Sequence, residues 1–255
     1  MWHRTVRVSY PPPPDSERSA TPPSAPAGQY SPDGRWYWNG REWIPAASQW
    51  PAWARPYAPA EGRATAAVVL VGMSAAGTAL GLLTAAVDLF TALTSPGSDV
   101  SLAQNIISLL AFLPYIAGTI GAMIAVPIWM HRAYRNLPAL GEQGLQWSPA
   151  WAAGCWFVPF VNFVVPYSVV RELWSRFGDA RTLPLQWWVW LIGALVLRAV
   201  GGALYGPSAV FNRPVGDVLV ILGDTAEVLA AYLIITMMLR VSRNQRDRLV
   251  QLQSR

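Results

Sequence analysis

ATAAVVLVGMSAAGTALGLLTAAV, residues 64–87, carries no charged side chain, and residues 100–130 carry none either, with Asp99 at their edge. About 18 consecutive apolar residues are enough to cross the hydrocarbon core of a bilayer. A soluble core has no use for two such runs in succession, so the chain reads as an all-α integral membrane protein. Two further runs complete four spanning helices, at about Ala64–Leu93, Ile106–Met130, Leu185–Tyr205 and Gly216–Leu239. Trp187, Trp188 and Trp190 mark an interfacial belt at the start of the third. Gly77 and Gly81, and likewise Ala117, Gly121 and Ala125, recur every four residues and let helices approach closely in lipid. Such rows serve packing within one subunit or a homo-oligomer interface.

Composition agrees with a bilayer as the solvent and partner. Of 255 residues, 53% are hydrophobic and 13% charged, against about 25% charged in an ordinary soluble domain. The shortage begins at residue 64; residues 1–63 are polar and proline-rich. All 19 basic residues are Arg, which points to a GC-rich bacterial genome. The net charge of +5 is not a nucleic-acid signal, because the arginines cluster at the ends of apolar runs, where they orient the chain in the membrane. There is no apolar leader near Met1, so the first span acts as its own insertion signal.

Reaction chemistry finds little support. Cys155 is the lone cysteine and His3 and His131 are far apart, so neither a disulfide nor a Cys/His metal site is expected. No nucleophile–base pair and no phosphate-binding glycine loop occurs. Cys155, in an apolar stretch, reads as an inert core thiol. The chain is expected to be no enzyme and to carry no cofactor or metal.

A fifth apolar stretch, Pro149–Val170, is interrupted by Pro159 and Pro166 with Asn162 between them. Ser148 and Pro149 form an N-cap and first-turn pair, while Pro159 breaks or kinks the helix that follows. If this stretch crossed the membrane, one of the clusters Arg132/Arg135 and Arg171/Arg176/Arg181 would lie outside. A re-entrant or interfacial broken helix keeps both inside, together with Arg240, Arg243, Arg246 and Arg248, and obeys the positive-inside rule at every loop. That arrangement places both termini in the cytoplasm.

The third and fourth spans must carry charges at membrane depth. Arg198, Asp224 and Glu227 interrupt runs too short to cross alone, and Asp217, Asp224 and Glu227 share one helical face. Buried charges of this kind face the bundle interior and pair; Asp88 either joins them or lies at the outer interface. Two acids against one Arg leave a surplus negative charge, which calls for a protonated acid or a bound cation. The cluster reads as a structural clamp or as a proton or ion pathway.

The tail, residues 1–63, is expected to be disordered around Pro11–Pro14, Pro22, Pro23 and Pro26, with a β-hairpin at 35–44. In RWYWNGREWI, Asn39-Gly40 suits a two-residue type I′ turn. That turn pairs Trp38 with Arg41 and Trp36 with Trp43, and puts Trp36, Trp38, Trp43 and Arg41 on one face. Such a platform suits a proline-rich peptide or a cytoplasmic protein; the rings otherwise pack on one another or on lipid headgroups. Residues 46–62 read as a juxtamembrane linker with Trp50, Trp53 and Tyr57 at headgroup level, and residues 241–255 as a basic cytoplasmic tail.

MHRAYRNL, from Met130, and LQWSPAWAAGCWFVPFVNFVVPYSVVRELW, ending at Trp174, resemble the bacterial membrane-protein family catalogued as domain of unknown function 4328. Arg132, Arg135, Asn136, Trp147, Pro149, Trp156, Pro159, Asn162, Pro166, Tyr167, Arg171, Glu172 and Trp174 carry the resemblance, which extends over most of residues 64–240. It implies a multi-pass inner membrane protein of high-GC Gram-positive bacteria and implies no activity. SPDGRWYWNGREW resembles the short Trp-rich modules that precede membrane domains in such bacteria. Taken together, these readings point to a scaffold or regulatory protein with a partner-binding tail, or to a small transporter or ion- or proton-responsive protein built on the charge cluster.

Overall fold

A computed structural model describes residues 29–31, 36–45, 56–95, 102–178, 183–204 and 213–254. The proline-rich stretch, Trp50, Trp53, Arg181 and most of the expected outward loops lie outside the described residues. Compact units divide at Trp50, and each is described by itself.

The N-terminal unit is a three-stranded antiparallel sheet, β1 (Gln29–Tyr30), β2 (Trp36–Trp38) and β3 (Trp43–Pro45), in the order β1-β2-β3. Its hairpin register differs by two residues from the sequence expectation: Trp38 lies opposite Trp43, and Trp36 opposite Pro45. Asn39 is the cause. Its Oδ1 accepts from the backbone N–H groups of Arg41 and Glu42, both at 2.8 Å. The Asn39 N–H donates to the Glu42 carbonyl at 3.2 Å, and Gly40 supplies φ +93°. The side chain thus widens the connection to residues 39–42, an Asx-type turn. Arg41 sits in that turn, not opposite Trp38.

Among its described residues the membrane unit has six α-helices: α1 (Glu61–Thr94), α2 (Leu102–Arg135), α3 (Pro149–Gly154), α4 (Val165–Phe177), α5 (Leu183–Ala203) and α6 (Arg213–Gln253). Among the described residues, α1, α2, α5 and α6 are the four helices long and apolar enough to cross a membrane. At about 1.5 Å per residue, α5 just covers a hydrocarbon core of about 30 Å, whereas α6 is about twice that length. The boundary expected at residue 240 falls inside α6, which continues without a break; Val241, Ser242 and Gln245 are buried in the bundle.

Small residues set the helix packing. A Cβ at Gly118 would meet the Leu70 carbonyl oxygen at 2.7 Å, and one at Gly77 would meet that of Ala111 at 2.7 Å, so α1 and α2 touch backbone to backbone. Gly81, one turn on from Gly77 in the same row, takes no part in this contact, since nothing lies within 4 Å of its Cβ direction. On the other pair, Gly201 faces the Gly216 carbonyl and holds α5 antiparallel to α6.

The Pro-rich stretch breaks as its prolines dictate. Ser148 caps α3 through a 3.2 Å bond from the Trp151 N–H. Short 3-10 turns follow at Cys155–Phe157 and Val161–Phe163, and Pro166 lies in the first turn of α4. The tip between them holds Phe160 at φ +63°, a conformation that costs a non-glycine residue about 1–3 kcal/mol. Phe160 is 85% exposed, and Phe157, Phe163 and Val164 are exposed beside it, so the tip is an exposed apolar wedge. α4 is amphipathic and buries Val169, Val170, Leu173, Trp174 and Phe177 on one side.

Both ends of this broken segment reach the same end of the bundle. The Trp147 N–H, just before α3, donates to the Tyr134 hydroxyl in the last turn of α2 at 2.8 Å, Glu172 of α4 accepts from the same hydroxyl, and Asn244 of α6 donates to the Phe177 carbonyl at 2.6 Å. Arg132, Arg135, Arg171, Arg176, Arg240, Arg243 and Arg246 therefore gather at one basic end, and the segment adds no fifth crossing. Gly118→Leu is expected to destabilise the detergent-solubilised protein by about 1–3 kcal/mol through overpacking. Gly81→Leu is expected to stay within about 0.5 kcal/mol of the parent, as surface substitutions do. Thermal unfolding of the two variants side by side checks the α1–α2 contact.

Candidate functional site

Two polar networks stand out against the apolar bundle, one at mid-span and one at the basic end. At mid-span, Arg198 on α5 reaches across to α6. Its Nε lies 3.1 Å from Asp224 Oδ1, and its Nη1 donates to Glu227 Oε2. Gly223 makes room: a Cβ there would sit 2.7 Å from Arg198 Cγ. The guanidinium carbon also lies 5.0 Å from the centre of the Tyr115 ring of α2, a cation–π contact.

The second Glu227 oxygen faces α1, where Ser74 Oγ approaches to 3.4 Å, and Ser74 in turn is 2.7 Å from Thr119 Oγ1 of α2. Ser74 has one hydroxyl proton, so if it donates to Glu227, Thr119 must donate to Ser74. Side chains of all four long helices thus meet in one network. Asp217 is buried on the same face of α6. Asp88 lies apart, accepting a 3.1 Å bond from Gln104, and makes no ion pair to Arg198.

Glu227 also lines a cavity of about 170 Å³ with Ser74, Thr119, Val71, Val126, Trp156 and Trp187. The walls are apolar except for this carboxylate and the two hydroxyls. One turn along α1, the Thr78 hydroxyl is buried with no hydrogen-bond partner. Among the described residues no group of three His, Cys, Asp or Glu side chains comes together to hold a metal ion.

At the basic end the family-motif residues build a latch. Asn136 is 1% exposed and pairs with the Ala58 backbone in both directions, at 2.9 and 3.2 Å. Gln245 of α6, fully buried, donates to the Ala133 carbonyl at 2.8 Å, and Trp129 Nε1 donates to Ser242 Oγ at 2.9 Å. Tyr134 donates to Glu172 at 2.7 Å and accepts from the Trp147 N–H at 2.8 Å. Arg176 bridges Glu172 and Glu142 at 3.0 and 2.7 Å. Burial alone would lower the proton affinity of that guanidinium; the hydrogen bonds it donates to Glu142 and Glu172 outweigh this and hold the pKa above its ordinary value.

The remaining motif residues divide between support and cavity. Tyr167 stacks on Trp188 at 6.3 Å with Arg171 over its ring at 5.5 Å, and Arg240 lies 5.9 Å from the buried Trp174 ring. Pro166 is buried, Pro159 is exposed at the turn, and the Asn162 Oδ1 is buried without a partner. Sequence reading brought Arg198, Asp224 and Glu227 together and missed Ser74, Thr119 and Tyr115, which look like ordinary span residues. The Glu172–Arg176 pair was available as an i,i+4 spacing; the reach of Glu142 to Arg176 across the fold was not.

Arg198→Leu leaves two carboxylates at membrane depth without their cation and is expected to cost about 3–5 kcal/mol. Removing all three charges together, Arg198→Leu with Asp224→Leu and Glu227→Leu, is expected to restore most of that loss. Folded yield and unfolding midpoint in detergent separate the two. Cys155 is fully buried, and burial pushes its thiol up to about 11. It is expected to resist maleimide at neutral pH in the folded protein and to react after denaturation.

A family model described as Domain of unknown function (DUF4328) matches residues 96–243, from the start of α2 into the last part of α6. No curated protein and no solved structure gives a significant match. The matched region takes in the broken segment, the Arg198, Asp224 and Glu227 set and most of the latch, and leaves out α1, Ala58 and Gln245. With more than half its length matched, the chain belongs to the family of domain of unknown function 4328.

Proposed function

We propose that this membrane protein is a non-enzymatic scaffold or regulator, which holds a partner with its N-terminal sheet while the helical bundle fixes it in the bilayer. One observation carries the reading. Trp36, Trp38 and Trp43 share a face of the sheet with Pro45, by strand alternation. Trp36 and Trp43 are 39% and 42% exposed, and the Trp38 and Trp43 rings meet tilted at 5.5 Å. A sheet of strands this short is marginal in water, which favours a bound partner. Ridged aromatic faces of this kind suit extended proline-rich segments, whose rings lie flat on indoles without further ordering. The gathering of Arg side chains at one end supports a bacterial inner membrane location with both termini in the cytoplasm.

A second reading rests on Glu227. Its carboxylate belongs to a set with one more acid than base and lines the 170 Å³ cavity. A proton- or cation-responsive element has this form, with the surplus charge neutralised by the species it senses.

The two readings separate cleanly. With the full chain in nanodiscs of neutral lipid, a labelled PxxP peptide is expected to bind, and Trp36→Ala/Trp43→Ala to weaken that binding by about tenfold, as loss of two aromatic anchors does. Equal binding by the variant and the parent would remove the scaffold reading. Proton flux in reconstituted vesicles that disappears in a stably folded Glu227→Gln variant would put the second reading in its place.

A further inference from the structure

The basic end holds a second, uncompensated set of charges. Arg63 lies in the first turn of α1, and His131, Arg132 and Arg135 lie in the last turns of α2. The three arginines act electrostatically on His131, and Arg63 and Arg135 act on Arg132. Among the described residues none of the four has an acid within ion-pair distance. Arg176 and Arg246 nearby do, with Glu142, Glu172 and Glu61 as partners. The Arg132 Nε is buried and has no hydrogen-bond partner. Like charges packed at a low-dielectric boundary repel, and a buried unpaired donor is unfavourable, until an anion supplies both the countercharge and the acceptor.

A cavity of about 330 Å³ opens beside this cluster. Arg63 and His131 form its polar part, and Ile124, Ile128, Ala153 and Phe157 its walls. Ile124, Ile128 and Phe157 are exposed on the outer surface of the bundle, so the apolar part opens sideways, where lipid lies. Phe157 belongs to the same apolar wedge as Phe160. A ligand filling this space has a compact anion at one end and hydrocarbon at the other. Basic pockets between spanning helices accept lipid phosphates for this reason.

We propose that this cavity binds one anionic phospholipid. Arg63 and His131, which line the cavity, hold its phosphate, Arg132 adds its charge from beside them in the cluster, and Ile124, Ile128 and Phe157 receive the first carbons of an acyl chain. The clustered arginines favour an anionic over a zwitterionic headgroup, and the apolar walls favour a lipid over a free anion.

The test uses the full chain in neutral detergent, titrated with phosphatidylglycerol and phosphatidylcholine of the same acyl chains and read by native mass spectrometry. One phosphatidylglycerol is expected to be retained per chain, with a preference of about tenfold or more over phosphatidylcholine. Arg63→Gln/Arg132→Gln is expected to abolish the preference, and Arg171→Gln/Arg243→Gln, which removes the same charge from exposed positions at the same end, to preserve it. Equal loss in both variants would mean diffuse attraction to a basic surface and overturn the site. Phe157→Ser, at an exposed position that does not threaten folding, is expected to reduce retention even if the double arginine variant fails to fold. Displacement of the lipid by inorganic phosphate, with Phe157→Ser having no effect, would make this a free-anion site and overturn the lipid assignment.

Discussion

At membrane depth there is no water to solvate a charge, so a charge placed there must find its partners within the protein. Arg198 imposes that condition on the whole bundle. Its position in α5 requires acids at matching depth on α6, and Asp224 and Glu227 meet it from two successive turns. Those acids fix the rotation of α6 and demand a glycine at 223, where the arginine stem crosses. Glu227 then needs a donor for its second oxygen, which brings in Ser74 and, through it, Thr119. Tyr115 covers the cation from α2. A single arginine thereby fixes which faces of all four helices turn inward.

The basic end solves the same problem by different means. The ends of helices at this level leave backbone groups that no helix satisfies. The Asn136 amide pairs with the Ala58 backbone as another strand would, and the Glu172 carboxylate takes both the Tyr134 hydroxyl and the Gln146 N–H. These bonds seat the lead-in to α1 and the loop before α3 against α2, while Gln245 and Ser242 bring α6 into the same block. This is why α6 outlasts the bilayer. Its last turns supply buried hydrogen-bonding groups to the other elements, so they remain helical beyond the span.

How much of this was legible in the sequence follows from which signals are local. Apolar length gave the four spans, two of them interrupted by charge, and the impossibility of leaving Arg198 unpaired gave its acidic partners. The positive-inside count gave the return of the 149–177 segment, because it depends only on where arginines fall. The hairpin register was misread because Asn-Gly was taken as a complete turn, when the Asn39 side chain itself accepts two backbone bonds and widens it. The small-residue rows named Gly77 and Gly121, which do meet the facing helix, but also Gly81, which faces open space, and passed over Gly118, which meets the α1 backbone, because periodicity alone does not say which of several small residues lies on the contact. Arg246 and its neighbours read as a solvated tail because Ser242 and Gln245 are polar, and only the fold shows that their partners are buried. Family resemblance located the latch without explaining it, since Asn136 and Glu172 act on residues up to 109 positions away.

Side chains of α1 and α2 enter both polar regions. α1 carries Arg63 at its basic end and Ser74 at mid-span; α2 carries His131 and Arg132 at its basic end and Tyr115 and Thr119 at mid-span. Between them the helices touch backbone to backbone at Gly118 and Gly77, a contact with no room for slack. Packed interiors shift between discrete arrangements instead of deforming smoothly. The seam at Gly77 and Gly118 is therefore what keeps Ser74 of α1 and Thr119 of α2 together beneath Glu227.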